Sequence, residues 1–451
     1  MTKTLLVLAN SRDRVGVLRA DARGYMSFEY DPEWLASPAA YPVSQSIPLR
    51  DGAFDHQAIE PFFDGLLPDK KDVRRQIAAL FDVAPTDEFG ILEHIGRDCA
   101  GALMLIHPGQ AENPLQPDAR LSAISTDDLS KRIADLPQRP LFIEEDEVVL
   151  SLAGVNDKAA VYIDPATQEI SLPFGGYPST HILKIDIERL PDSTRTEHFC
   201  MKLARKIGLD AAHTKIRLFN DRPVLFVTRF DRAYAQTSNG VRVTRLHQED
   251  FCQALGVNPD VKYERQGGPD LAAMFALTRQ VSTIPARDIP KLLGFVIFNF
   301  LIGNPDAHAK NYSLIYRQRP TNANATNVLT AISPLYDVNN GAAFRDCFKS
   351  QRPRLAQSIG GCFDPTELDW SDWESQARMI GSSPTALRKA LLTMAKKVRE
   401  TIAPLRDELR DTDADSPRLD HIVDDVSNRC EAWIISNCRR ASARTMTANW
   451  N

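Results

Sequence analysis

The sequence predicts an α+β protein in three parts: a small β-rich N-terminal domain over residues 1–110, a mixed α/β lobe over 111–232 and an all-helical lobe over 233–451. Three observations lead there. Apolar runs of strand length crowd the first hundred residues, and a Pro/Gly/Gln/Asn stretch from Pro108 to Pro117 reads as a linker. Beyond Asp231 the apolar residues recur with helical period. A chain of 451 residues supports two or three such units and a sizeable core.

In chain order, Thr4–Ala9 has the composition of a buried strand, and Gly16–Leu18 and Met26–Tyr30 read as further strands. Pro61–Phe81 carries apolar residues at helical spacing, and Gly101–Ile106 returns to strand character. In the middle part, Val148–Leu152, Ala159–Ile163, His181–Ile185 and Pro223–Thr228 are strand-like. Among them Thr196–Ile207 reads as a helix, with Phe199, Leu203 and Ile207 on one face and Glu197 in the first turn. Helical periods follow over Gln248–Leu255, Leu271–Gln280, Ile289–Ile302 and most of Thr366–Ala441. The polar tract Arg317–Asn327 is expected to form a loop.

Composition narrows the function classes. With 54 Lys+Arg against 59 Asp+Glu, the formal net charge is −5, which argues against a protein whose main task is to coat nucleic acid. A hydrophobic share of 43% beside 25% charged residues excludes wholesale disorder. None of the seven cysteines forms a C-x-x-C pair, so reduced thiols are expected rather than a zinc site or a disulfide framework. The longest apolar run, Leu292–Phe298, stops at Asn299 and is far too short to span a membrane. A cytoplasmic protein with no membrane partner is the expectation.

The sharpest chemical signal is Leu301–Tyr312, where four residues separate Asp306 from Asn311 after an apolar helix. A kinase uses this D-x-x-x-x-N spacing to place a carboxylate that takes the acceptor's proton and an amide that holds magnesium. Asn304-Pro305 supports a turn that would put Asp306 on a loop. Asp337, at the end of the short apolar segment Ile332–Val338, is placed to be the second magnesium ligand. Upstream, Lys184 lies inside a strand-like segment, where a lysine is costly to bury unless an anion meets it. Thirteen residues later, Glu197 opens the helix that could pair with it. Ser151–Lys158 is a glycine-containing turn without a Walker motif, whose backbone N–H groups near Gly154 could cradle phosphate. Each of these also has a plainer reading as a turn, an exposed strand face or a helix charge. Arg388, Lys389, Lys396, Lys397 and Arg399 form a basic cluster that is either a solvated helix face or a surface for DNA.

Taken in order, Ser151–Lys158, Thr180–Lys184, Val227–Arg232, His247–Cys252, Leu301–Asn311 and Tyr336–Val338 resemble the HipA-type serine/threonine kinase toxins of bacterial toxin–antitoxin systems. Ser44–Arg50, Phe62–Pro68 and Gly96–Leu105 are similar to that family's N-terminal domain. The resemblance implies a kinase-like two-lobed body behind the small β-rich domain, using ATP and Mg2+. It implies Asp306 as catalytic base, Asn311 and Asp337 as magnesium ligands, and Lys184 on the ATP phosphates. It further implies that Ala153, Gly154, Val155, Asn156, Asp157 and Lys158 form the phosphate loop. Thr228, Arg229, Phe230 and Asp231 would form the adenine-contacting hinge, with His308 and Lys310 also at the nucleotide. Thr228 stands where an acidic residue is associated with the best-known members. Ser151 would be the site of inactivating autophosphorylation. The implied partners are a HipB-like helix-turn-helix antitoxin, operator DNA through that antitoxin, and a protein substrate such as an aminoacyl-tRNA synthetase. A small-molecule or lipid kinase on the same scaffold, and a non-catalytic transcriptional co-repressor, are the alternatives.

Overall fold

The computed structural model describes residues 2–10, 12–110, 120–137, 142–144, 147–149, 158–238, 240–322, 325–347 and 354–448. The N-terminal strands β1 (Lys3–Ala9), β2 (Asp13–Ala20), β3 (Met26–Tyr30) and β4 (Leu103–Ile106) form an antiparallel sheet in the order β3-β2-β1-β4. Four helices accompany it: α1 (Pro32–Ala36), α2 (His56–Asp64), α3 (Lys71–Leu80) and α4 (Glu88–Ile95). The single helix expected over Pro61–Phe81 is therefore two. The chain leaves α2 at Gly65, and Pro68 in the gap cannot donate a helical N–H. That break sets Asp69 at the tip between them, which matters below.

The middle part is a six-stranded sheet with order β11-β12-β10-β8-β9-β5. Its strands are β5 (Leu121–Ala123), β8 (Lys158–Ile163), β9 (Ile170–Pro173), β10 (His181–Lys184), β11 (Thr214–Phe219) and β12 (Arg222–Thr228). The short pair β6 (Phe142–Glu144) and β7 (Glu147–Val149) stands apart from it. Helix α5 (Thr126–Asp135) packs Leu129 and Ile133 with Val161, Leu183 and Phe226 in a core belonging to this sheet alone. Helix α6 (Ser193–Lys206) joins the larger core instead, through Phe199, Leu203 and Ala204.

The C-terminal part carries α7 (Phe251–Ala254), α8 (Leu271–Val281), α9 (Pro285–Ile302), α10 (Trp370–Met379), α11 (Pro384–Leu409) and α12 (Arg418–Ala448). It is not all-helical. A hairpin of β13 (Arg232–Thr237) with β14 (Gly240–Arg245) and a three-stranded sheet of β15 (His247–Asp250), β16 (Ser313–Asn322) and β17 (Ala325–Ile332) lie within it. The tract Arg317–Asn327, expected as a loop, is the outer part of the β16–β17 hairpin, with Arg319 opposite Asn327. Gln248–Leu255 likewise divides into strand and helix, because β15 pairs with β16, its His247 opposite Tyr316. Such pairing is non-local, so a window of neighbouring residues carries little trace of it.

One continuous core holds the N-terminal sheet and the helical body together, running from Leu5, Phe28 and Phe62 through Phe251 and Phe298 to Trp373. The Ser44–Arg50 segment closes the seam. Ser44 and Tyr316 donate their hydroxyls to the buried Glu249, and the Gln45 backbone N–H adds a third bond at 3.0 Å. Cys99, Cys200, Cys252 and Cys430 are buried free thiols, and Cys347 and Cys362 are partly exposed ones. Among the described residues, no helix is long and apolar enough to cross a membrane.

Candidate active site

Helix α9 delivers the loop that contains Asp306. It stops because Gly303 turns into the left-handed region at φ 71°, a conformation glycine adopts without steric cost. The next residue, Asn304, bonds back to Asn299 Oδ1 at 2.9 Å and caps the turn by accepting the Asp306 N–H at 3.0 Å. Asn311 then donates its Nδ2 to the Asp306 carbonyl at 2.7 Å, so the two residues of the D-x-x-x-x-N spacing share one closed loop. The Asn311 Oδ1 accepts no hydrogen bond from the described residues.

Asp337 reaches the same place from a different direction. Its backbone is also left-handed, at φ 57°, a strained setting that aspartate tolerates better than most residues. Tyr336, just before it, braces the loop by donating to the Lys310 carbonyl at 2.8 Å and meeting Ser313 Oγ at 2.6 Å. From the six-stranded sheet, Lys184 at the end of β10 donates to Glu197 of α6 at 2.8 Å and to Asp337 at 2.9 Å. Lys158 sits directly opposite Lys184 on β8, so two ammonium groups share one end of the sheet.

The electrostatics follow from this crowding. Burial works against the Lys184 charge, but the carboxylates of Asp337 and Glu197 win and hold its pKa above the usual range. Burial and the neighbouring Lys184 push Lys158 down to about 8. For Asp337, burial acts upward, yet Lys184 and then Lys158 hold its carboxyl below the ordinary value. Asp306 is raised to about 6, chiefly by desolvation, with Asp337 adding to the rise and a hydrogen bond from Tyr263 opposing it. Its side chain still keeps 46% of its surface exposed, and water there moderates the shift. A carboxyl raised in this way remains deprotonated at neutral pH.

The structure thus brings together Asp306, Asn311, Asp337, Lys184, Lys158 and Glu197. His308 is with them, its Nε2 3.6 Å from Asp306 Oδ1, and burial keeps its imidazole neutral. Other residues of the sequence reading are placed differently. Lys310 turns to Asp69 of the N-terminal domain at 2.7 Å, a partner it shares with Lys262. Arg229 and Asp231 spend their side chains on each other and on the N-terminal domain: Arg229 donates to Asp231 at 2.7 Å and to the Cys99 carbonyl at 3.0 Å. Both side chains are buried in that joint, 2% and 3% exposed. Thr228 meets His181 Nε2 at 3.2 Å, and the Phe230 ring lies 5.4 Å from that of Tyr336. Ser151, Ala153, Gly154, Val155, Asn156 and Asp157 lie outside the described residues.

Two family models match the chain: the HipA N-terminal domain over residues 5–106 and the HipA-like C-terminal domain over 150–402. The chain belongs to the HipA family. Among curated HipA-family relatives, the putative kinase Y4mE of Sinorhizobium fredii is 36% identical over 420 residues, covering 92% of this chain and 95% of its own. The serine/threonine-protein kinase toxin HipA of Shewanella oneidensis is 29% identical over 433 residues, covering 93% and 94%. A solved complex of Shewanella oneidensis HipA, HipB and operator DNA is similar with a TM-score of 0.79 and 26% identity, covering 95% of this chain and 97% of that one. A kinase of the HipA family accounts for the observed α+β layout and for a lysine, a helix glutamate and two loop aspartates meeting at one point.

Two parts of this HipA-type site escaped the sequence reading, the Asp69 bridge and Tyr263, whose phenol donates to Asp306; the Asn304 turn is the expected one, with two side-chain caps added to it. Asn304 had a signal, an Asn-Pro step after glycine at a helix end. Tyr263 and Asp69 had none, because each approaches from a loop distant in sequence.

Proposed function

We propose that this chain is an ATP- and magnesium-dependent kinase that phosphorylates serine or threonine hydroxyls of a protein. It would act as the toxin of a HipA/HipB-like toxin–antitoxin pair. The observation that carries the reading is Lys184 held between Glu197 and Asp337, the latter 153 residues away in sequence, beside an Asp306 carboxylate that stays partly open to solvent.

In this reading Asp306 takes the proton of the acceptor hydroxyl as the oxygen–phosphorus bond forms and the bond to the ADP oxygen breaks. Lys184 and Lys158 oppose the charge of the phosphates, and Glu197 keeps Lys184 pointed at them. The donor set suits magnesium: a carboxylate with 34% of its surface exposed on Asp337 and, on Asn311, an amide oxygen that accepts no hydrogen bond from the described residues. Such an ion, when bound, would supply charge neutralisation across the phosphates. Catalysis by this set is positioning and electrostatics, with no covalent enzyme intermediate.

The acceptor class and the partners rest on the likeness to HipA kinases. A translation component such as an aminoacyl-tRNA synthetase is the proposed substrate. A HipB-like helix-turn-helix protein is the proposed antitoxin, carrying the complex to operator DNA.

Two results are expected. Asp337→Ala should weaken ATP binding only in the presence of magnesium, since Asp337 acts through the ion. Isothermal titration with and without the metal tests this, and an equal loss in both would assign Asp337 a structural role. Second, incubation with ATP and magnesium should phosphorylate Ser151 and lower ATP affinity, because a phosphate adds roughly −1.5 to −2 charge beside the proposed phosphate loop. Phosphopeptide mass spectrometry paired with nucleotide titration decides it. Stoichiometric modification with unchanged affinity would remove the switch.

A further inference from the structure

We infer that Tyr263 is a positioning residue for phosphoryl transfer, its phenol clamping one oxygen of Asp306 so that the other faces the acceptor hydroxyl. The inference rests on reading Asp306 as the base.

The Asp306 backbone is fixed on both sides: its N–H by Asn304 at 3.0 Å, and its carbonyl by Asn311 Nδ2 at 2.7 Å and the His308 N–H at 2.9 Å. What remains is rotation of the carboxylate about a broad torsion, which backbone bonds do not restrain. Tyr263 supplies that restraint. Its hydroxyl donates to Asp306 Oδ1, the oxygen that His308 Nε2 also approaches, at 3.6 Å. The Tyr263 ring stands edge-on to the His308 ring, with centroids 4.9 Å apart at 88°. One oxygen is thereby enclosed by two side chains, while the carboxylate as a whole retains nearly half its exposure.

A clamp works only if it is itself immobile, and Tyr263 is anchored from both neighbours. Before it, Lys262 bonds Asp69 at 2.7 Å, and Asp69 bonds Lys310 of the catalytic loop at 2.7 Å. The Lys262 carbonyl also accepts the Ala309 N–H at 3.4 Å. After it, Glu264 accepts both the N–H and the hydroxyl of Ser358, each at 2.6 Å. The chain then folds back, with the Gly268 N–H bonding the Tyr263 carbonyl at 3.0 Å. A Cβ at Gly268 would lie 2.2 Å from the Val261 carbonyl oxygen, so only glycine permits this closure. The segment thus ties the N-terminal domain, the catalytic loop and the Ser358 region to one phenol.

The opposing possibility is that the Tyr263 hydroxyl occupies the acceptor's own place and acts as a gate. The two differ in sign. The test uses the full-length chain as wild type, Tyr263→Phe, Asp306→Asn and the double variant. It measures the single-turnover rate of label transfer from [γ-32P]ATP with magnesium, together with ATP affinity and melting temperature. We expect Tyr263→Phe to slow transfer on the order of 10-fold, the scale of a mispositioned catalytic group, with ATP affinity within about 2-fold of wild type. On the Asp306→Asn background it should cost nothing more, since Tyr263 acts only through that carboxylate. As a second variant, Asp69→Asn should slow transfer in the same direction and also fall silent on Asp306→Asn. An unchanged or faster rate in Tyr263→Phe overturns the clamp, and an equal loss on both backgrounds reduces it to a structural contact. Wild-type transfer by Asp306→Asn alone would overturn the reading of the base, and with it this inference.

Discussion

Asp306→Asn is expected to abolish useful phosphoryl transfer while leaving the fold and ATP binding in place. The amide keeps the shape of the side chain and can still accept from Tyr263, but it carries no charge and takes no proton. General-base assistance alone accounts for a loss of at least about 10²-fold in kcat. Most of the loop survives the substitution, since Asn304, Asn311 and Tyr336 hold its backbone through groups that the change does not touch. The melting temperature should therefore move little. Turnover within a few fold of wild type, on any accepted substrate, would remove Asp306 from the mechanism.

Asp98→Ala is expected to be the most destabilising single change at the joint between the N-terminal domain and the six-stranded sheet. Asp98 is 3% exposed and accepts from Arg232 at 2.8 Å, Arg245 at 3.0 Å and the Ser179 hydroxyl at 2.6 Å. Arg229 stands 3.7 Å away. Removing the carboxylate leaves buried guanidinium groups short of a counter-charge, an uncompensated burial that costs about 3–5 kcal/mol. Burial alone would raise the Asp98 pKa, but Arg245, Arg232 and Arg229 together hold it below the usual carboxylate range. A depressed folded pKa contributes stability that is present above the unfolded value of about 3.9 and is lost as pH falls below it. The variant should therefore be weaker at neutral pH and should lose less than wild type on acidification. Urea denaturation at pH 7 and at about pH 2.5, inside the window below the unfolded pKa, checks both statements; a loss at pH 7 under about 1 kcal/mol would mean that the arginines find other partners.

Much of the fold was legible because it is written locally. Met26–Tyr30 alternates, Thr196–Ile207 places Phe199 and Leu203 on one face, and Ile289–Ile302 is long and apolar, and each became the expected element. The misreadings share a different cause. The β13–β14 hairpin is short and polar, and β15 is a strand only because Tyr316, far along the chain, lies opposite His247. Pro61–Phe81 kept its apolar spacing across a break that the loop at Pro68 imposes.

The site divides along the same line. Asp306 with Asn311, and Lys184 with Glu197, sit at spacings that chemistry requires, and both pairs meet as expected. The resemblance places Arg229 and Asp231 in a nucleotide hinge, and their side chains serve the buried ion-pair joint with the N-terminal domain. Asp69 and Tyr263 carried no local signature at all, since their roles arise from loops that converge only in the folded chain.

A protein kinase delivers the γ-phosphoryl of ATP to a protein hydroxyl. The most direct measurement incubates the purified chain with [γ-32P]ATP and magnesium, then separates protein, nucleotide and small molecules. The expected result is label on protein, recovered as phosphoserine or phosphothreonine and reduced at least about 10²-fold with Asp306→Asn. Label found only in inorganic phosphate or in a small-molecule acceptor, with none on protein, would contradict a protein kinase.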